Sequence, residues 1–156
     1  MRNGVLALAL FLIAGCSSNQ PSLTLVSAAV DPTYFCPGGS NNAPYDLHAK
    51  VRIHNGTGNV VTIDAVTARM TVASIKGAWL EKVGERYDAG NAKFTPATIA
   101  SGSDATLNVT IPSACTSGKY GTGTSSSADY RVTVQLATSA GSFAVTAGNE
   151  HEIVAD

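Results

Sequence analysis

Over most of this chain apolar side chains recur at every second residue, and that period fits a β-sheet with one buried face better than anything else. Leu47, Ala49, Val51 and Ile53 alternate with His48, Lys50, Arg52 and His54. Ala105, Leu107, Val109 and Ile111 repeat the pattern, as do Tyr130, Val132, Val134 and Leu136 against Arg131, Thr133 and Gln135. Glycine-containing turns separate such runs: Asn55-Gly56-Thr57-Gly58-Asn59, Ser101-Gly102 and Ser139-Ala140-Gly141. No long stretch shows the spacing of an amphipathic helix.

The remaining strands are less regular. Leu23 to Val30 reads as the first strand and Ala92 to Ile99 as a later one, with Pro96 marking a sheet edge. Val60 to Ser74 reads as one long strand whose phase slips. Val61 and Ile63 share one face and Val66, Ala68, Met70 and Val72 the other, so a bulge near Asp64-Ala65, or a break into two strands, is expected. Ile75 to Gly90 is ambiguous: Trp79, Val83 and Tyr87 fall at helical spacing, Gly84 weakens a helix, and an extra edge strand fits equally. The strand ending at Ile111 is expected to close at Pro112. The last strand holds Phe143 and Val145 and resumes at Ile153.

Seven strands with turns between them predict an all-β, antiparallel β-sandwich. The stretch ADYRVTVQLATSAGSFAV resembles the last hairpin of immunoglobulin and fibronectin type III domains. Val132, where antibody domains carry a cysteine, is not one, and the third strand has no tryptophan. The resemblance is therefore to an immunoglobulin-like architecture, covers most of the chain loosely, and says little about function.

At the N-terminus, Met1-Arg2-Asn3 carries one positive charge and Val5 to Ala14 follows without a polar side chain. About ten apolar residues fall well short of the roughly 20 that span a bilayer as a helix. The layout is that of a secretory signal. Ile13-Ala14-Gly15-Cys16 resembles the lipobox of bacterial lipoproteins. That resemblance implies a signal peptide over 1–15, cleavage before Cys16 and lipidation of its thiol. Residues 16–22 then form the lipidated cysteine and a polar tether, and 23–156 an immunoglobulin-like domain. Paired acyl chains hold a protein on a membrane where one holds only marginally. Ser17, in place of the aspartate that retains such proteins at the inner membrane, implies the outer membrane if the cell is Gram-negative. The implied location is the cell envelope, with the membrane itself as a partner through the lipid on Cys16.

Losing Arg2 with the signal leaves nine of the ten Lys+Arg against eleven Asp+Glu. That near-balance offers no field for nucleic acid. Cys36 and Cys115 remain as an even pair, which outside the cytoplasm is most simply a disulfide. The sandwich order brings them together independently. It places the long loops, Asp31 to Pro44, Ile75 to Gly90 and Pro112 to Ala128, at one end and the short turns at the other. The two cysteines fall in the first and third long loops. The first strand enters from the short-turn end, so a lipid on Cys16 would present the disulfide and Trp79 away from the bilayer.

Chemistry-bearing patterns are sparse. His48 and His54 lie about 20 Å apart along one strand, too far to share an ion. All three histidines, His151 included, read as solvated. No G-x-S-x-G elbow occurs. Gly118-Lys119-Tyr120-Gly121-Thr122-Gly123 looks superficially like a phosphate cradle but runs into serines and a strand rather than opening a helix. Asn55-Gly56-Thr57 and Asn108-Val109-Thr110 match the glycan acceptor triplet by chance. No cofactor and no metal site is expected.

The expectation is a non-catalytic envelope lipoprotein whose sandwich binds or scaffolds another envelope component, a protein or a polysaccharide. Tyr34, Phe35, Trp79 and Tyr87 are the partner-binding candidates, because exposed aromatics dominate recognition surfaces. Trp79 would equally serve to plug the open end of the sandwich. The rival is an envelope enzyme or metal-dependent module with a site in Ile75 to Gly90, using Glu85, Asp88 or a histidine.

Overall fold

The computed structural model describes residues 22–117 and 126–155. The signal, Cys16, most of the tether and the Gly118 to Gly123 stretch lie outside the described residues. Eleven strands are described: β1 (Leu23–Val30), β2 (Thr33–Cys36), β3 (Ala43–Asn55), β4 (Val61–Lys76), β5 (Arg86–Asn91), β6 (Lys93–Thr95), β7 (Thr98–Ile99), β8 (Asp104–Cys115), β9 (Ser126–Thr138), β10 (Gly141–Thr146) and β11 (His151–Ala155).

One sheet has the order β1-β3-β8-β6 and the other β2-β11-β9-β4-β5, with β10 also on β9 and β7 on β4. This is the all-β sandwich that the alternation predicts, with the immunoglobulin-like architecture that the resemblance of the last hairpin implies; the expected seven strands are corrected to the eleven described, the extra ones being short or at edges. Leu47, Val51 and Ile53 of β3 and Leu107, Val109 and Ile111 of β8 are at most 1% exposed. They face Val66, Met70, Val132, Val134 and Leu136 of the other sheet across the core. Each such side chain contributes on the order of 1.5–3 kcal/mol of transfer free energy.

The phase slip in β4 is a bulge. Against β9 the register moves between Ile63 and Ala65, so Asp64 is the extra residue, and Val61, Ile63, Val66, Ala68, Met70 and Val72 all end up buried. A second shift falls between Val72 and Ser74.

Other expectations are corrected. The Asp31 to Pro44 loop contains β2, which pairs in parallel with β11. One pair in the second sheet is therefore parallel. Alternation could not reveal a strand of four residues. The strand holding Ala105 runs on through Pro112 to Cys115, paired with β3 throughout. Pro112 is tolerated there because β6 covers the outer side of β8 only as far as Thr110. The Ala92 to Ile99 strand is two strands, β6 on one sheet and β7 on the other, interrupted at Pro96. In Ile75 to Gly90 the edge strand β5 is what forms, paired with β4, and the stretch holds no helix.

Strand register fixes the two ends of the sandwich. Leu23 stands opposite Asn55, and the Gly56 amide donates to the Ser22 carbonyl at 3.0 Å. A Cβ on Gly56 would stand 2.9 Å from that carbonyl oxygen, so the approach needs glycine. Ser22 therefore enters at the turn end. Ala43 pairs with Cys115, and Cys36 with Ala155, at the far end. At the turn end Asn55 is fully buried. Its amide donates to the carbonyls of Asn59, Ile99 and Ala100, and its Oδ1 accepts from the Thr57 amide and hydroxyl.

Candidate functional site

Cys36 of β2 and Cys115 of β8 form a disulfide, with Cα atoms 5.9 Å apart, inside the usual range. It joins the two sheets at the end away from Ser22. Ser117 fastens the adjoining loop, donating from its hydroxyl to the Pro37 carbonyl and accepting from the Ser40 amide.

Beside the disulfide a cleft of about 190 Å³ opens between the sheets. Met70, Ile153 and Cys115 give it an apolar floor, and Trp79, Tyr87 and Tyr130 line its walls. The Trp79 indole N–H donates to the Tyr130 hydroxyl at 2.8 Å, and that hydroxyl donates to Glu81 Oε2 at 3.3 Å. Burial pushes the Tyr130 phenol well above its ordinary pKa, against the opposing pull of the indole N–H. The phenol therefore stays protonated and keeps its donor aimed at Glu81. The Glu81 carboxylate is half-buried and has no cation within ion-pair distance among the described residues.

The four aromatic candidates do not form one patch. Trp79 and Tyr87 share the cleft. Trp79 is half-buried and packs on the core, so it does cover the open end, while Tyr87 is 47% exposed. Tyr34 and Phe35 sit on β2, at the opposite edge of the sheet from β5. Tyr34 stacks on Tyr45 with ring centroids 3.8 Å apart; Phe35 is 68% exposed. Tyr34, Phe35 and Tyr87 thus lie on strands rather than in loops. Sequence reasoning missed Tyr130 and Glu81. Tyr130 was legible as an inward residue, and a buried phenol needs a hydrogen-bond partner; nothing local pointed to Glu81.

His48 and His54 are exposed, each with one ring nitrogen 2.9 Å from a carboxylate, of Asp31 and Asp104. His151 corrects the expectation of a solvated side chain: it is 1% exposed. Its Nδ1 lies 2.7 Å from the Asp31 carbonyl and its Nε2 3.0 Å from the Tyr45 hydroxyl. A carbonyl only accepts, so Nδ1 carries the proton and Nε2 accepts from Tyr45. Burial pushes the Tyr45 phenol up to about 12, so this donor persists through neutral pH. Burial likewise lowers the His151 pKa below its ordinary value.

The unfolded chain therefore binds the His151 proton more readily than the folded one. Stability is unaffected by this group above about pH 6.5 and falls as pH drops below that toward the lowered folded pKa. We expect the urea midpoint to decline between pH 7.5 and 5. His151→Gln should be less stable at pH 7.5 but show a flatter decline; an equally steep decline in that variant would assign the acid sensitivity elsewhere.

No protein-family model matches the sequence, and no curated protein matches it. Among solved structures, one similar chain is the ASH/PapD-like domain (PapD-like domain 7) of human CEP192. It is 9% identical over 97% of this chain and 96% of that one, with a TM-score of 0.30. Another is AggA, the major subunit of aggregative adherence fimbriae type I from Escherichia coli. It is 12% identical over 88% of this chain and 97% of that one, with a TM-score of 0.33. The fold assignment rests on the strand order itself. Among the described residues no group of three or more His, Cys, Asp or Glu could hold a metal ion.

Proposed function

We propose that this chain is a lipid-anchored protein of the cell envelope, cut before Cys16 and acylated there, whose sandwich binds or scaffolds another envelope component without catalysis. The observation that supports this reading is the opposition of the two ends. Ser22 enters beside Gly56 at the turn end, whereas the disulfide and the aromatic cleft lie at the far end of the same strands. A tether of a few residues reaches no more than about 20 Å. It would hold the turn end near the bilayer and turn the cleft toward whatever lies beyond. Among the described residues the only charged side chain lining the cleft is Glu81, which accepts a hydrogen bond from a tyrosine. That arrangement suits recognition better than acid–base chemistry, which needs groups with divided roles.

Two measurements test the proposal. Cys16→Ser should leave the precursor uncut and move the protein out of the detergent phase on partitioning; a processed, membrane-bound Cys16→Ser product would defeat the anchor. A photo-crosslinker at Tyr87, in intact cells, should capture a discrete partner, whereas one at Asn59 on the turn end should capture lipid or nothing. Equal capture from both positions would defeat the proposed orientation.

A further inference from the structure

The outer face of the β1-β3-β8-β6 sheet separates its charges along the strands. On β3 the exposed row runs Asp46, His48, Lys50, Arg52 and His54 toward the turn end. His48 and His54 each meet a carboxylate, of Asp31 and Asp104. Lys50 and Arg52 lie about 7 Å apart along the strand, and among the described residues neither has an acid within ion-pair distance. The same holds for Lys93 of β6, which stands opposite Thr110 in the row of His48. On the other sheet, by contrast, Arg69, Lys76 and Arg131 are each in an ion pair. The rest of the sequence has little to offer as a counter-charge. Residues 1–21 and 118–125 contain no aspartate or glutamate, and Asp156 follows Ala155, which pairs with Cys36 at the far end.

The neighbours of the two free cations are neutral donors. Asn108 stands directly across from Lys50 and Thr106 across from Arg52, a spacing of about 5 Å between Cβ atoms in such pairs. Neither side chain hydrogen-bonds to a described residue. Arg52 and Thr106 also border a shallow depression of about 140 Å³, with Val26 and the His54-bound Asp104 on its rim. Val26 is the residue inserted where the β1 register shifts, and it is 54% exposed. Cations with neutral donors beside them suit phosphate oxygens, and an exposed aliphatic side chain suits the border between headgroups and acyl chains. A tether of no more than about 20 Å, entering at Ser22, keeps this half of the face within reach of a bilayer. We propose that the domain leans on the membrane through the turn-end half of this face, Lys50 and Arg52 binding the phosphates of anionic phospholipids and Lys93 adding to the attraction. The assignment rests on the proposed lipid anchor at Cys16. Asp46, farther along β3, opposes the same surface and keeps the far end and its cleft off the bilayer.

The acylated chain, isolated from membranes in detergent, should be reconstituted into phosphatidylcholine vesicles with and without phosphatidylglycerol. One variant carries a photo-crosslinking amino acid at Ala29, exposed beside Lys50. The other carries it at Ala137, exposed on the other sheet and two residues from the 139–141 turn. An upright domain would favour lipid adducts at Ala137. We expect about tenfold more adduct at Ala29 on the phosphatidylglycerol vesicles, since each basic side chain near an anionic surface is worth about fivefold. The excess should shrink in high salt, on phosphatidylcholine alone, and by about fivefold for each of Lys50→Gln and Arg52→Gln. Both side chains are exposed, so the urea midpoint of these variants should not move. Equal adducts at Ala29 and Ala137 on a chain that stays with the vesicles would overturn the lean and leave the anchor intact. An excess at Ala29 that ignores lipid charge or survives both substitutions would also overturn it, as would binding of a soluble polyphosphate by this face with no lipid adduct. A chain that fails to sediment with vesicles at all would overturn the lean and the anchor together.

Discussion

Replacing Cys36 and Cys115 together by alanine should lower the stability of the sandwich by about 4–5 kcal/mol, making it the most damaging of the changes considered. The bond closes a loop with a sequence separation of 79. In the chain-entropy treatment a loop of that size restrains the unfolded state by about 4.5 kcal/mol. The folded side of the balance adds to this, because both cysteines are 5% exposed and pack in the core. The melting temperature should drop by roughly 10–20 °C, and reductant should produce a similar shift in the unmodified chain. A loss under about 1 kcal/mol would show that packing between the sheets holds this end without the bond.

Asn55→Ala comes second, at about 3–5 kcal/mol. The side chain is buried completely; its Nδ2, with two protons, is shared among three carbonyls, and its Oδ1 accepts two hydrogen bonds. Alanine would strand the buried carbonyl of Ile99, and the turn of 55–59 would lose its tie to the segment after β7. Each unsatisfied buried group costs on the order of 1–3 kcal/mol. Thr57→Val provides the comparison. Its single hydroxyl proton lies between Asn55 Oδ1 and Asn59 O, at 2.6 and 2.9 Å, yet the residue lies nearer solvent, so a loss of about 1 kcal/mol is expected. Urea unfolding of both variants separates the contributions. Equal losses would mean that the turn, and not the buried amide, carries the stabilisation.

Those two residues also mark how far the sequence could be read. Alternation identified β3, β8 and β9 because each has one buried face, and a single inserted residue at Asp64 could be inferred because the apolar phase reversed around it. The same signal is silent where a strand is short or lies at an edge. β2 has four residues and takes its place from β11, a partner far away in sequence. β5 buries only Ala89, so its residues show no pattern. Pro96 was legible as the mark of a sheet edge, but not as the point where the chain passes from one sheet to the other.

At the site, the cysteine pairing and the placement of Trp79 at the disulfide end followed from loop order. Tyr130 and Glu81 did not, since their meeting depends on how the 77–85 segment folds back over β9. Asn55 resembled a chance glycan triplet, and His151 a solvated histidine. In both cases a polar residue is buried by contacts remote in sequence, and neighbouring residues carry no trace of that.

The path of the Cys36–Cys115 bond bears on how the domain would behave under mechanical tension. Suppose the membrane draws on Ser22 while a partner holds the far end. The pull then runs along β1, parallel to its own axis, and β1 must slide past β3 with all its paired residues opposed at once rather than peel off one at a time. If β1 does yield, tension reaches Cys36 and crosses directly to Cys115. The chain between them, which includes β3, β4 and the 77–85 segment over the cleft, is bypassed. Roughly 260–280 Å of potential extension is thereby withheld. The bond would act as a stop, keeping β3 and β4 in place while the linkage to the membrane is stretched.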